Sequence, residues 1–97
     1  MGARGPSRFA MIIVVNLAVS PAERRSRLHA FQNFGEDVDR WLRAEKNAGA
    51  VDFNEIDGPS GQFTIRDVKA RMGRRVALWL KEEAARQHVP TDLEVRP

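Results

Sequence analysis

The run from Met11 to Ala18, MIIVVNLA, carries apolar side chains on both alternate faces of an extended chain. Side chains along a strand alternate with a period of two. Met11, Ile13, Val15 and Leu17 therefore share one face, and Ile12, Val14 and Asn16 share the other. A strand that is apolar on both faces belongs in the middle of a sheet, covered on each side. The remainder of the chain has to supply that cover, and two amphipathic helices suffice for only one face.

At 97 residues the chain has room for one small domain. Its 42% apolar content is that of a globular fold and not of a disordered one. No apolar run is long enough to span a bilayer. Arg4 and Arg8 precede the apolar run as they would in a signal peptide. A small-x-small cleavage site is missing, however, and cleavage would remove the best strand. The absence of cysteine excludes disulfides and thiolate metal sites, and points to a reducing cytoplasm.

The net charge is +3, from 16 Lys and Arg against 13 Asp and Glu. Arg4 and Arg8 lie in residues 1–8, a segment of Gly, Pro and Arg that reads as a flexible leader to a single domain at 9–97. The domain itself is nearly balanced, without the concentrated basic face that nucleic-acid binding uses.

Ser20, Pro21 and Glu23 mark a helix start: Ser at the cap, Pro at the first position, Glu completing a capping box. Leu28, Phe31, Phe34, Val38, Trp41 and Leu42 then recur at helical spacing up to about Asn47. Gly35 is a candidate bend, and Asn47, Ala48 and Gly49 form the stop. Residues 51–56 and 62–65 alternate as strands around a Gly/Pro turn from Asp57 to Gly61. Asp67 is the expected cap of a second helix with apolar face Val68, Met72, Val76, Trp79 and Leu80, stopped by His88, Val89 and Pro90. A short strand, Leu93 to Val95, closes the chain.

The order β-α-β-β-α-β, with right-handed crossovers, predicts an α+β, ferredoxin-like sandwich. Its antiparallel sheet would run 4-1-3-2, with both helices on one face. Each helix is basic early and acidic late: Arg24, Arg25 and Arg27 before Glu36, Asp37 and Asp39; Lys69, Arg71, Arg74 and Arg75 before Glu82 and Glu83. That order opposes both helix dipoles. Antiparallel helices would offset it by pairing the basic start of one with the acidic end of the other.

No catalytic constellation is recognisable. His29 and His88 lack metal-ligand spacing, His29 flanking the apolar stripe and His88 falling in a turn. Ser60 is not in a nucleophile elbow. Asp52 and Glu55 fall on opposite faces of their strand, and with Asp57 they make a poor acid/base group. No phosphate-cradling glycine loop is present. The expectation is a protein that is not an enzyme and has no cofactor or metal.

Two resemblances bear on the fold. The segment Ile12 to Leu17, followed by Leu28, Phe31, Phe34, Gly35 and Glu36, resembles the first half of an RNA-recognition motif, whose hydrophobic-Asn-Leu strand leads into a helix ending near Phe-Gly. The resemblance implies the same βαββαβ sandwich. Where that family stacks bases on aromatic rings, this chain has Ile13, Gln62 and Thr64, so RNA binding through the sheet is not implied. The stretch from Val51 to Ile65 is similar to the central hairpin of small bacterial ferredoxin-like proteins without an assigned activity, which implies the hairpin and no functional residues.

The expected function is a non-catalytic protein-interaction or regulatory module, a homodimer joined through the sheet face by Ile12, Val14, Asn16, Gln62 and Thr64. Asp52, Asn54 and Glu94 would complete a polar rim about a dry centre. The alternative is anion or nucleic-acid binding through Arg24, Arg25 and Arg27 and the leader. No membrane partner is expected.

Overall fold

Four β-branched or leucine residues among the eight of β1 (Ala10–Leu17) are fully or almost fully buried, and the strand lies inside the sheet as its composition demands. A computed structural model describes residues 10–46, 49–54 and 61–97. After β1 come α1 (Pro21–Glu45), β2 (Ala50–Asp52), β3 (Gln62–Lys69), α2 (Ala70–Arg86) and β4 (Thr91–Arg96). The sheet order is β2-β3-β1-β4, every neighbouring pair antiparallel. This is the expected order read from its other edge. The leader, residues 47–48 and most of the expected turn lie outside the described residues.

One core joins both helices to one face of the sheet. It contains Ile13, Val15 and Leu17 of β1, Phe63, Ile65 and Val68 of β3, Phe31, Phe34, Val38 and Leu42 of α1, and Val76, Leu80 and Ala84 of α2. Phe63 sits at its centre, with the rings of Phe31, Phe34 and Phe53 at 5.3, 6.0 and 6.1 Å. No polar or charged residue is buried among those described.

Helix α1 begins after Ser20, with Pro21 in its first turn, as the sequence implies. The capping box does not form. The Ser20 hydroxyl donates to the Glu23 carboxylate at 3.3 Å, and the Glu23 N–H donates to the Ser20 carbonyl at 3.0 Å. Gly35 does not break the helix, which runs on to Glu45. It is buried on the apolar side, where its neighbours' packing outweighs a helix-propensity cost of about 1 kcal/mol. The helix stops at Glu45, two residues before the expected Asn47: Lys46 takes a positive φ (65°) and donates its N–H to the Leu42 carbonyl.

Asp67 does not cap α2. Strand β3 continues to Lys69, which is the capping residue, and Val68 belongs to the strand. The reason is a β-bulge. Met11 pairs with Val68 and Ile13 with Ile65, so Ile12 alone faces both Arg66 and Asp67. The extra residue, with Asp67 at φ 61°, changes the phase of the strand so that Ile65 and Val68 both reach the core. Strand β2 is shorter than the sequence suggests and β4 longer, at three and six residues.

Cross-helix pairing of charge joins Arg75 to Glu45 at 3.1 Å. Gln87 adds a neutral bridge, donating to Asp37 on α1 at 2.9 Å and to Glu83 on its own helix at 2.7 Å. Arg40 with Asp37, Arg43 with Asp39 and Arg86 with Glu83 pair within their own helices.

Candidate interaction surface

The alternation of β1 puts Ile12, Val14 and Asn16 on the face away from the helices. Registry across the sheet then fixes their company. Val14 stands between Thr64 of β3 and Glu94 of β4; Asn16 stands between Gln62 and Asp92; Ile12 lies opposite Arg96. The five residues singled out in the sequence thus share one surface.

That surface is less apolar than the sequence suggests. Val14 is only 3% exposed within this single chain, and Ile12 is half-buried. Opposed side chains in a sheet sit about 5 Å apart, close enough for Thr64 and the longer Glu94 to crowd the valine between them. Burying Val14 therefore requires no second chain. Among the described residues Leu78 and Val95 are the large hydrophobic residues that remain exposed, and neither is on this face: Leu78 is on α2, and Val95 pairs with Ile13.

Ion pairs flank the row on both sides. Asp52 of β2, opposite Thr64, meets Arg66 at 3.5 Å. On the other side Glu94 meets Arg96 at 2.8 Å. Hydrogen bonding to Arg96, then its charge, holds the Glu94 carboxyl below the ordinary carboxylate range. Asp52 also accepts the Asn54 backbone N–H, so the rim expected around Asp52, Asn54 and Glu94 is a set of short local contacts. Arg66 and Arg96 were not among the sequence candidates. The signal was available: each lies two residues beyond a rim residue, Thr64 or Glu94, and so on the same face.

Arg24 and Arg27, three residues apart, lie about 60° apart around α1, and Arg25 does not share their side. At about 100° per residue, Arg25 points roughly 160° away from Arg27 around α1. Arg24 is half-buried and lies over Gly61, where an added Cβ would stand 3.5 Å from its Nη1. Arg25 and Arg27 are exposed.

His29 is exposed on α1, and His88 follows α2. Ser60, Glu55 and Asp57 lie outside the described residues. Among the described residues no group of acidic or histidine side chains is placed to hold a metal ion, and no helix is long and apolar enough to cross a membrane. An open groove of about 340 Å³ runs between α1 and Phe53, beyond β2, lined by Glu36, Asp39, Arg40 and Arg43. Both arginines there are already paired with carboxylates of their own helix.

Comparison with protein-family models, with curated proteins and with solved structures finds no significant match. Nothing in these comparisons points to a catalytic activity.

Proposed function

We propose that this chain is a ferredoxin-like sandwich that works in a reducing cytoplasm as a non-catalytic protein-interaction or regulatory module, self-associating through the open face of its sheet. The observation that carries the reading is the row Ile12, Val14 and Asn16 with Gln62 and Thr64 beside it, bounded on each side by an opposite-charge pair. A two-fold contact has to be self-complementary. A face whose two margins each hold one cation and one carboxylate meets that requirement.

Size limits the strength of such a contact. Four strands about 4.8 Å apart and roughly six residues long present about 400 Å². A stable interface buries about 800 Å² per partner. Association is therefore weak, and sedimentation equilibrium from tens to hundreds of micromolar is the experiment. Val14→Asp is unsuitable as a probe, because an unpaired charge at a buried site unfolds the chain as well. Thr64→Arg and Gln62→Arg crowd the face while keeping a polar tip. Dimers that dissociate in these variants at unchanged thermal midpoint support the reading; a monomer at every concentration overturns it.

A further inference from the structure

Helix α2 has three sides. Gly73, Val76, Leu80 and Ala84 are buried against the sheet. Met72, Trp79 and Glu83 are half-buried on the flank toward α1, where Trp79 stacks on Trp41. The third side faces water. At about 100° per residue, Arg71, Arg74, Leu78 and Lys81 fall within a sector about 80° wide, and all four are exposed.

The three cations of this side are not ion-paired to any described residue, whereas Arg75 and Arg86 of the same helix hold Glu45 and Glu83. The carboxylates of α2 lie off the sector. Glu83 is held by Arg86 and Gln87, and Glu82, exposed about 20° beyond Arg71, borders the sector on the side of Arg75, seven residues before it. Counted over the chain the charges nearly cancel; on this side of α2 three cations stand without an ion pair, with Glu82 at the edge. Arg71 also stands in the first turn of α2, where positive charge is unfavourable, and Arg74 just past it. Cross-helix pairing accounts for Arg75 and leaves these two without a structural reason.

We infer that the outward side of α2 docks the phosphate backbone of a nucleic-acid duplex. Guanidinium groups match phosphate geometry, and the span from Arg71 to Lys81 is about 15 Å along a straight helix. A single strand is the poorer fit, since it relies on stacking against aromatic rings, and Trp41 and Trp79 cover one another. Leu78 does not call for an apolar partner, because one exposed leucine is ordinary on a protein surface. Contacts of this kind bind backbone without reading sequence. The inference is independent of self-association, which uses the opposite side of the molecule.

Fluorescence anisotropy with a labelled duplex and the full chain tests it. Three phosphate contacts predict a log–log salt slope near −2.7, so affinity falls roughly 40-fold between about 50 and about 200 mM salt. The triple variant Arg71→Glu, Arg74→Glu, Lys81→Glu loses binding without a large fall in thermal midpoint, because all three side chains are exposed and none is ion-paired to a described residue. That pairing of results separates lost contact from lost fold. Arg25→Glu with Arg27→Glu, on α1, leaves affinity nearly unchanged. The inference is overturned by no binding at the lower salt, by a triple variant that binds like the parent, by tighter binding of single strands, or by equal competition from a polyglutamate peptide.

Discussion

The indole rings of Trp41 and Trp79 stack with centroids 4.3 Å apart and planes within 7° of parallel, fastening α1 to α2 at the margin of the core. Both rings are half-buried, so each contributes area removed from water as well as the stack itself. Offset stacking of aromatic pairs is worth about 0.5–1.5 kcal/mol beyond burial. Trp41→Ala and Trp79→Ala should each destabilise the fold by about 2–3 kcal/mol, less than a fully buried aromatic. The double variant should cost less than the sum, by about 0.5–1.5 kcal/mol. Urea unfolding of the four proteins measures this; strict additivity would show that the rings are neighbours without coupling.

The bulge in β3 makes a second, backbone prediction. Gly49 has φ 90°, and a Cβ there would stand 2.0 Å from the Arg66 carbonyl oxygen, on the bulged residues themselves. A side chain would have to push β3 away or force Gly49 out of its conformation. Gly49→Ala should destabilise by roughly 2–3 kcal/mol. Asp67 tolerates its left-handed φ because short polar side chains visit that region more readily. Asp67→Asn should be near neutral and Asp67→Val should cost more than about 1 kcal/mol. The urea midpoint should move while the slope m stays constant. A harmless Gly49→Ala would mean that this approach of the two segments does not hold.

The same region shows what the sequence could and could not say. Two-residue alternation put β1 at the centre and Ile12, Val14 and Asn16 together, because that period is set by backbone geometry alone. The junction at Asp67 and Val68 misleads for an equally local reason: Asp before an apolar residue is the pattern of a helix cap. A bulge is a relation between two strands, and one strand's sequence does not display its partner. The burial of Val14 depends likewise on which residues stand opposite it, Thr64 and Glu94. So does the sorting of charge on α2. Helical spacing groups Arg71 with Arg74, but only the position of α1 reveals that Arg75 is engaged by Glu45 and the other two are not.

Glu83 makes stability depend on pH. Hydrogen bonds from Arg86, at 3.1 Å from Nε, and from Gln87, at 2.7 Å, hold its carboxyl below the ordinary carboxylate range. Burial and the charge of Asp37 oppose that shift without cancelling it. A carboxyl depressed on folding stabilises the fold in full above its unfolded value near about 4.3. The contribution disappears as pH falls through the lower folded value. Glu83→Gln should therefore show a smaller drop in thermal midpoint between about pH 6 and about pH 3 than the parent does. Glu94→Gln is the comparison: its carboxyl is also depressed, by Arg96, but water screens it, so its effect should be smaller. Equal pH profiles for the parent and Glu83→Gln would show that the Glu83 contacts do not survive in solution.

The end of α2 is closed by two backbone hydrogen bonds that require a left-handed residue between them. The Val89 N–H donates to the Ala84 carbonyl at 2.9 Å, and the His88 N–H donates to the Ala85 carbonyl at 3.1 Å. Val89 and Ala84 are both buried, giving the apolar contact that accompanies this kind of helix stop. His88 occupies the left-handed position, at φ 57°, and its imidazole is exposed. A side chain with a Cβ is strained there by about 1–2 kcal/mol, whereas glycine is not. Part of that gain is lost because glycine has more conformational freedom to give up on folding. His88→Gly should stabilise the protein by about 0.5–1 kcal/mol, a rise in thermal midpoint of roughly 2–8 °C for a chain of this size. His88→Val should lower the midpoint, because a β-branched residue adopts this conformation least readily. If glycine lowers it as well, the imidazole must be making a stabilising contact that outweighs the backbone strain.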